Sequence, residues 1–298
     1  WRGDWALVLP ETSAPLSAFE AAAAALPRRG PDFLGAEAAS VSCGSGCDAE
    51  LHLRSSVLHI RGQSVVRQPV AVVSPKGSDA SSAGRLLFNG EIYAVSPALA
   101  DGSAEPALAL EENDTLWLAE QVAACEAEAP GDSWEPLALA LRNLLERLHG
   151  PFALSLWSPR RRAVFFARDK LGRRSLMAAR TADGSCCVAS AAGGATHLWN
   201  ELPVTGLFVL DLAAAEGPAV RHVPWREEIP FAQPWWWTAP IDRLPAGVRH
   251  VEAFAETLRS AVARRVAHVF GGTCDQPRVG LLFSGGLDST VLAALAAE

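Results

Sequence analysis

Apolar and polar positions alternate along the first two thirds of this chain in short blocks bounded by Gly, Pro and Ser. Runs at 57–60, 70–73 and 86–88 are rich in β-favouring residues and predict strands. Residues 14–26, Ala-rich and stopped by Pro27, predict a helix, as does the helical spacing of apolar residues over 116–127 and 137–148. Residues 152–157 and 164–167 predict a strand pair turned by the basic segment 159–162, with further strands at 186–189 and 206–212. Strands in blocks and helices in blocks imply sheets layered under helices, an α+β arrangement rather than a β-α alternation.

The texture changes at 217–250, where six prolines and four tryptophans occur with little periodicity. We expect a connector there, with Trp235, Trp236 and Trp237 packing on a domain surface. Regularity then returns. Val251, Phe254, Leu258, Val262, Val266 and Val269 form an i, i+3/i+4 stripe of an amphipathic helix. A buried-type strand is expected over 279–283, followed by a loop at 284–289 and a helix at 290–298. The expected division is 1–216, connector 217–250 and 251–298.

Composition sets bounds. The chain has 298 residues, 49% apolar, with formal net charge −7 and no basic block, so a nucleic-acid partner is not indicated. No apolar run approaches a bilayer span, and no signal peptide is apparent. Six scattered cysteines lack C-x-x-C spacing. Adjacent Cys186 and Cys187 point to opposite faces of a strand, which argues for reduced thiols and a cytoplasmic location. The chain opens at Trp1 and closes just inside a helix, and is expected to be a fragment.

The sharpest chemical signal is Ser284-Gly285-Gly286-Leu287-Asp288-Ser289, placed between a strand and a helix pattern. Glycines there let backbone N–H groups approach an anion, and the helix N-terminus adds positive partial charge. Ser284 and Ser289 supply hydroxyls, and Asp288 could cap the helix or help position Mg²⁺. Gly-x-x-x-x-Gly-Lys is absent, which disfavours γ-phosphoryl transfer. The segment resembles the SGGxDS loop of PP-loop ATP pyrophosphatases, and that resemblance implies ATP binding by Phe283, Ser284, Gly285, Gly286, Asp288 and Ser289, with ATP and Mg²⁺ as cofactors. By contrast, Gly44-x-Gly46-x-x-Ala49 formally fits a dinucleotide fingerprint but lacks the strand and helix context.

The first half carries a second set of motifs: Arg29-Gly30-Pro31-Asp32, Arg61 ahead of Gln68-Pro69, Asn89-Gly90-Glu91-Ile92-Tyr93, Asp114, Gly150-Pro151-Phe152 and Ala167-Arg168-Asp169 through Gly172. Each alone reads as a turn, a helix cap or a surface ion pair. Together and in this order they resemble class II glutamine amidotransferases, and with the SGGLDS loop they resemble the asparagine-synthetase family. The Trp/Pro connector and residues 171–176 resemble a branch distinct from the metabolic enzyme.

The resemblance implies an Ntn-hydrolase-like αββα sandwich followed by the start of an α/β PP-loop domain. It implies glutamine held by Arg61, Glu91 and Asp114, with Asn89 and Gly90 as the oxyanion hole. Glutamine would give ammonia, ATP would adenylate the aspartate β-carboxylate, and ammonia would displace AMP. The partners are thus small molecules: glutamine, aspartate and ATP. The family nucleophile is an N-terminal Cys activated by its own α-amino group. Counting back from Arg29 puts Arg2 in its place, so the chain as written is expected not to hydrolyse glutamine. A non-catalytic homologue that binds or regulates is the competing expectation.

Overall fold

Two strands, β7 (Phe152–Ser158) and β8 (Ala163–Arg168), are buried along nearly their whole length, which explains their almost continuous apolar sequences. The computed structural model describes residues 17–44, 46, 48–73, 83–96, 113–180, 185–193, 196–226, 248–266 and 279–298. Within these, β7 and β8 form the middle of a six-stranded antiparallel sheet with β3 (Val70–Val72), β4 (Gly84–Gly90), β12 (Gly206–Asp211) and β13 (Ala219–Pro224), in the order β13-β12-β8-β7-β4-β3.

Alternate residues of this sheet feed two cores. Leu154, Leu156, Phe165, Leu207 and Val209 face helices α2 (Asp114–Glu128) and α3 (Trp134–Leu145) and meet Leu118, Val122, Leu137 and Leu141. The intervening Ala153, Trp157, Val164, Phe166 and Leu210 face the other way. They meet Val41, Cys43 and Ala49 of the hairpin β1 (Phe33–Ser42) and β2 (Asp48–Val57), together with Leu176 and Leu202. A three-stranded sheet of β9 (Met177–Arg180), β10 (Cys186–Ala189) and β11 (Trp199–Glu201) turns Ala179, Cys187 and Trp199 toward α1 (Ser17–Ala25). The order of layers is helix, sheet, sheet, helix, which is the expected αββα sandwich. Each fully buried Leu or Phe adds roughly 1.5–3 kcal/mol to the driving force.

Several boundaries differ from the sequence reading. The strand expected at 57–60 ends at Val57, because β2 begins at Asp48 as the return arm of the hairpin. Helix α3 stops at Leu145, and Leu148–His149 (β6) instead pairs with Ala94–Val95 (β5), drawn across by mutual Ser96 and Arg147 hydrogen bonds. The segment expected as a connector from 217 opens with β13, and Trp225 closes the first core. Residues 227–247, including the Trp triplet, lie outside the described residues.

The second half departs more. Helices α4 (Val248–Val266) and α5 (Leu287–Ala297) are present and joined by an Arg259–Glu298 ion pair of 2.9 Å. The buried strand expected at 279–283 is not formed: the segment is irregular and Leu282 is 99% exposed. A strand of that kind needs neighbours for its N–H and C=O groups and for both faces, and no described strand lies beside it.

Candidate functional site

The end of β2 is shaped by the turn before β1. A Cβ at Gly30 would lie 2.5 Å from the Val57 nitrogen, so only glycine lets the chain pass there. Asp32 Oδ2 accepts the His59 N–H at 2.7 Å, and His59 Nε2 lies 3.1 Å from the Gly62 oxygen. These contacts fold residues 58–62 over the sheet and drive Arg61 inward, where it is 5% exposed. Its Nη1 donates to the Ile92 oxygen at 2.7 Å.

Asp114 meets the same stretch from the opposite side. The bland expectation made it the cap of α2, but the cap is Asn113, whose Oδ1 accepts from Thr115 N and Leu116 N at 3.0 and 3.3 Å. Asn113 Nδ2 also donates to the Arg61 oxygen at 3.0 Å. Relieved of capping, Asp114 is buried and accepts the Ile92 N–H through Oδ2 at 3.0 Å. Burial raises its pKa, and the Ile92 N–H and the Arg61 charge partly offset that rise.

Strand β4 brings Asn89, Gly90 and Glu91 to this place. Beyond Leu86, β3 no longer covers the strand's edge, and the Gln68 side chain takes over. Its Oε1 accepts from Phe88 N at 2.8 Å and its Nε2 donates to Phe88 O at 3.0 Å. Glu91 N points the other way, to Pro151 O at 3.0 Å. Period-2 alternation therefore turns the Gly90 N–H to the same edge as that of Phe88, past the reach of β3. A side chain at Gly90 would collide with the Pro151 oxygen. The Asn89 Nδ2 group is buried with no acceptor among the described residues. An amide donor and a backbone N–H at one strand end are groups that can hydrogen-bond a developing negative charge.

A fourth segment comes from the loop after β8. Arg168 and Asp169, read alone as a surface ion pair, are both buried. Asp169 accepts from the backbone N–H groups of Phe152, Leu171 and Arg173 at 3.1 Å each and from Arg173 Nε at 2.9 Å. Gly172, at φ +63°, completes the turn. The knot delivers Arg174 to the pocket, its Nη2 lying 3.7 Å from Glu91 Oε1. Burial raises the Glu91 pKa; Arg174 opposes this, Asp114 adds to it, and Arg61 and Tyr93 lower it again.

Arg61, Asn89, Gly90, Glu91, Asp114 and Arg174 line one cavity of about 250 Å³. All five amidotransferase-type residues expected from the sequence are thus brought together. None of the described cysteines lines it, and Cys43 is buried in the second core. Arg2, Cys47 and Cys274 lie outside the described residues. Sequence reading missed Gln68, Asn113 and Arg174. Gln68 stands in the Gln68-Pro69 motif itself and Asn113 adjoins Asp114, so those motifs were the available signal.

The Ser284–Ser289 loop stands apart from this cavity and is exposed. Gly286, not Asp288, occupies the N-cap position of α5, and Asp288 falls in the first turn. Gly285 adopts φ +79° with open space around it, and the Ser284 and Ser289 hydroxyls lie 3.2 Å apart. No group of three or more potential metal ligands occurs among the described residues. Nor is any described helix long and apolar enough to cross a membrane.

Residues 64–194 match the family model for a glutamine amidotransferase domain. The chain is 28% identical over 166 residues to an asparagine synthetase domain-containing protein of Drosophila melanogaster, covering 56% of this chain and 24% of that protein. It is 27% identical over 208 residues to asparagine synthetase domain-containing protein 1 of Bos taurus, covering 67% and 27%. The chain thus spans about a quarter of the length of these relatives. Among solved structures it is similar to the glutamine phosphoribosylpyrophosphate amidotransferase of B. subtilis complexed with ADP and GMP, at 16% identity and a TM-score of 0.41, covering 67% of this chain and 44% of that one. The curated homologues of this chain are asparagine synthetase domain-containing proteins, and its residues 64–194 match a glutamine amidotransferase domain.

Proposed function

We propose that the cavity is a glutamine site, and that the chain is part of an asparagine-synthetase-type protein using glutamine nitrogen and ATP to amidate aspartate. The observation that carries the glutamine reading is the convergence of Arg61, Glu91, Asp114, Asn89 and Gly90 on one cavity. In this reading Arg61 receives the α-carboxylate and Asp114 with Glu91 receives the α-ammonium. Asn89 Nδ2 and the Gly90 N–H face the side-chain carbonyl, where negative charge would grow during attack on the amide. The buried and otherwise unanswered Asn89 donor supports that assignment.

The ATP half rests on the loop. Gly285 and Gly286 have room in front of them and Ser284 and Ser289 flank the N-terminus of α5, so the residues present fit a pyrophosphate-bearing ligand. ATP would supply the adenylate leaving group, and Mg²⁺ would arrive with its phosphates, Asp288 being the nearby carboxylate. A connector that begins after Trp225, a second domain from 251 and a cytoplasmic location belong to the same proposal. A second reading, in which the pocket binds the amino acid without hydrolysing it, is favoured by the lack of any described cysteine at the cavity.

Calorimetric titration of the chain with glutamine tests the site. Binding is expected, and Arg61→Met or Asp114→Asn is expected to weaken it at least about tenfold, the scale of a charge-assisted hydrogen bond. No binding, or binding indifferent to both changes, overturns the glutamine reading. Ammonia release then separates the catalytic from the binding version.

A further inference from the structure

The Asp169 knot spends four hydrogen bonds on holding a loop whose next residue, Arg174, enters the cavity. Arg173 Nη2 reaches back to the Gly150 oxygen at 2.6 Å. Gly150 in turn packs so closely on Glu91 that a Cβ there would collide with the Glu91 carbonyl. The loop, β7 and the end of β4 are therefore fixed to one another, and the Arg174–Glu91 separation is set by backbone contacts on both sides. Arg174 Nε is buried with no hydrogen-bond acceptor among the described residues, while its Nη2 faces Glu91 at 3.7 Å. The guanidinium is thus committed to the cavity by charge rather than by a saturated hydrogen-bond set.

We propose that Arg174 is a positioning residue of the amino-acid pocket, holding the Glu91 carboxylate beside Asp114 so that the ligand's ammonium meets two carboxylates. The inference rests on the glutamine reading and extends it to a residue outside the motif set. Two carboxylates sharing a half-closed pocket repel one another, and burial penalises both. The groups facing Glu91 are Arg174 from the loop after β8, Asp114 from α2, Arg61 from the segment after β2, and Tyr93. Tyr93 in turn is faced by Arg174, Arg173 and Arg265, the last lying 5.3 Å from the ring centre. Arg61 is already engaged with Ile92 and reserved for the ligand carboxylate. Arg174 is the cation left to balance Glu91 when the ligand is absent.

The test uses the whole chain with labelled glutamate side chains, Glu91 being assigned by Glu91→Gln. Arg174→Gln is expected to move the Glu91 titration midpoint upward, and Arg174→Lys to restore most of it. Glutamine binding by Arg174→Gln should be weaker than in the unaltered chain at pH values below the Glu91 midpoint of the variant, and should converge on the unaltered value at higher pH. An unchanged midpoint, or an equal loss of affinity at every pH, overturns the proposal. Absence of glutamine binding by the unaltered chain overturns the pocket reading instead, while the Glu91 midpoint still decides the role of Arg174.

Discussion

Gln68 replaces a strand for Phe88: both ends of its side-chain amide pair with the backbone of that one residue, at 2.8 and 3.0 Å. Ser55 Oγ donates to the Gln68 carbonyl and holds the brace in place. The main sheet therefore stays ordered beyond β3 while leaving the Gly90 N–H, the next on that edge of β4, uncovered.

Gln68→Met keeps the bulk of this buried side chain and removes both bonds, stranding two backbone groups. A loss of roughly 2–4 kcal/mol is expected in chemical denaturation. A loss under about 0.5 kcal/mol would show that the brace contributes little.

Asn113 joins the helix cap to the pocket. Asn113→Ala should cost about 1 kcal/mol through the lost cap and should also weaken glutamine binding, because the bond to the Arg61 oxygen goes with it. Asn113→Asp retains the capping oxygen and lacks the amide donor. It should recover the stability and not the affinity, a split that denaturation and calorimetry read separately.

Stability should fall with rising pH through the carboxylate range. Asp114 and Glu91 both titrate above their ordinary values in the folded chain. The folded state then holds more protons than the unfolded state between the ordinary and raised values, so stability is fully present below that window and is lost as pH climbs through it. The double variant Asp114→Asn, Glu91→Gln should flatten this slope in a series of thermal melts. An unaltered slope would assign the pH dependence to other groups.

At the second loop, Gly285 and Gly286 should behave differently. Gly285 holds φ +79°, where alanine costs roughly 1–2 kcal/mol, whereas Gly286 is extended and has only Ser284 Oγ nearby, at 3.5 Å. Gly285→Ala should speed hydrogen exchange at the Thr290 amide, which bonds to Gly286 O, and Gly286→Ala should leave it nearly unchanged. Equal effects would mean that the left-handed turn does not set the start of α5.

The strands that could be read beforehand are those whose sequences carry their burial. Residues 152–157 and 164–167 are apolar on both faces because two cores flank them, and the run of Val, Phe and Leu states this directly. The hairpin β1 escaped notice because FLGAEAASVS places small and charged residues on a largely exposed ribbon, where pairing with β2 rather than apolar content specifies the strand. The run at 279–283 erred in the opposite direction. Its composition fits a central strand, but pairing is a property of neighbours and not of the segment. Within the site, Arg61, Asn89 and Asp114 could be seen through their motifs. Arg174 could not, since its role depends on a loop geometry written mainly in the backbone bonds to Asp169.

Arg161 is 1% exposed, and its guanidinium is surrounded by the oxygens of Ala129, Gly131 and Ser133 and by Glu126 at 3.3 Å. The link between α2 and α3 is in effect wound around one buried cation, with Arg160 holding Gly131 and Asp132 from outside. Adding or deleting a residue there would leave that charge sealed in with its acceptors displaced, so natural variation in loop length should avoid 129–133 even though a side chain at Gly131 would meet open space.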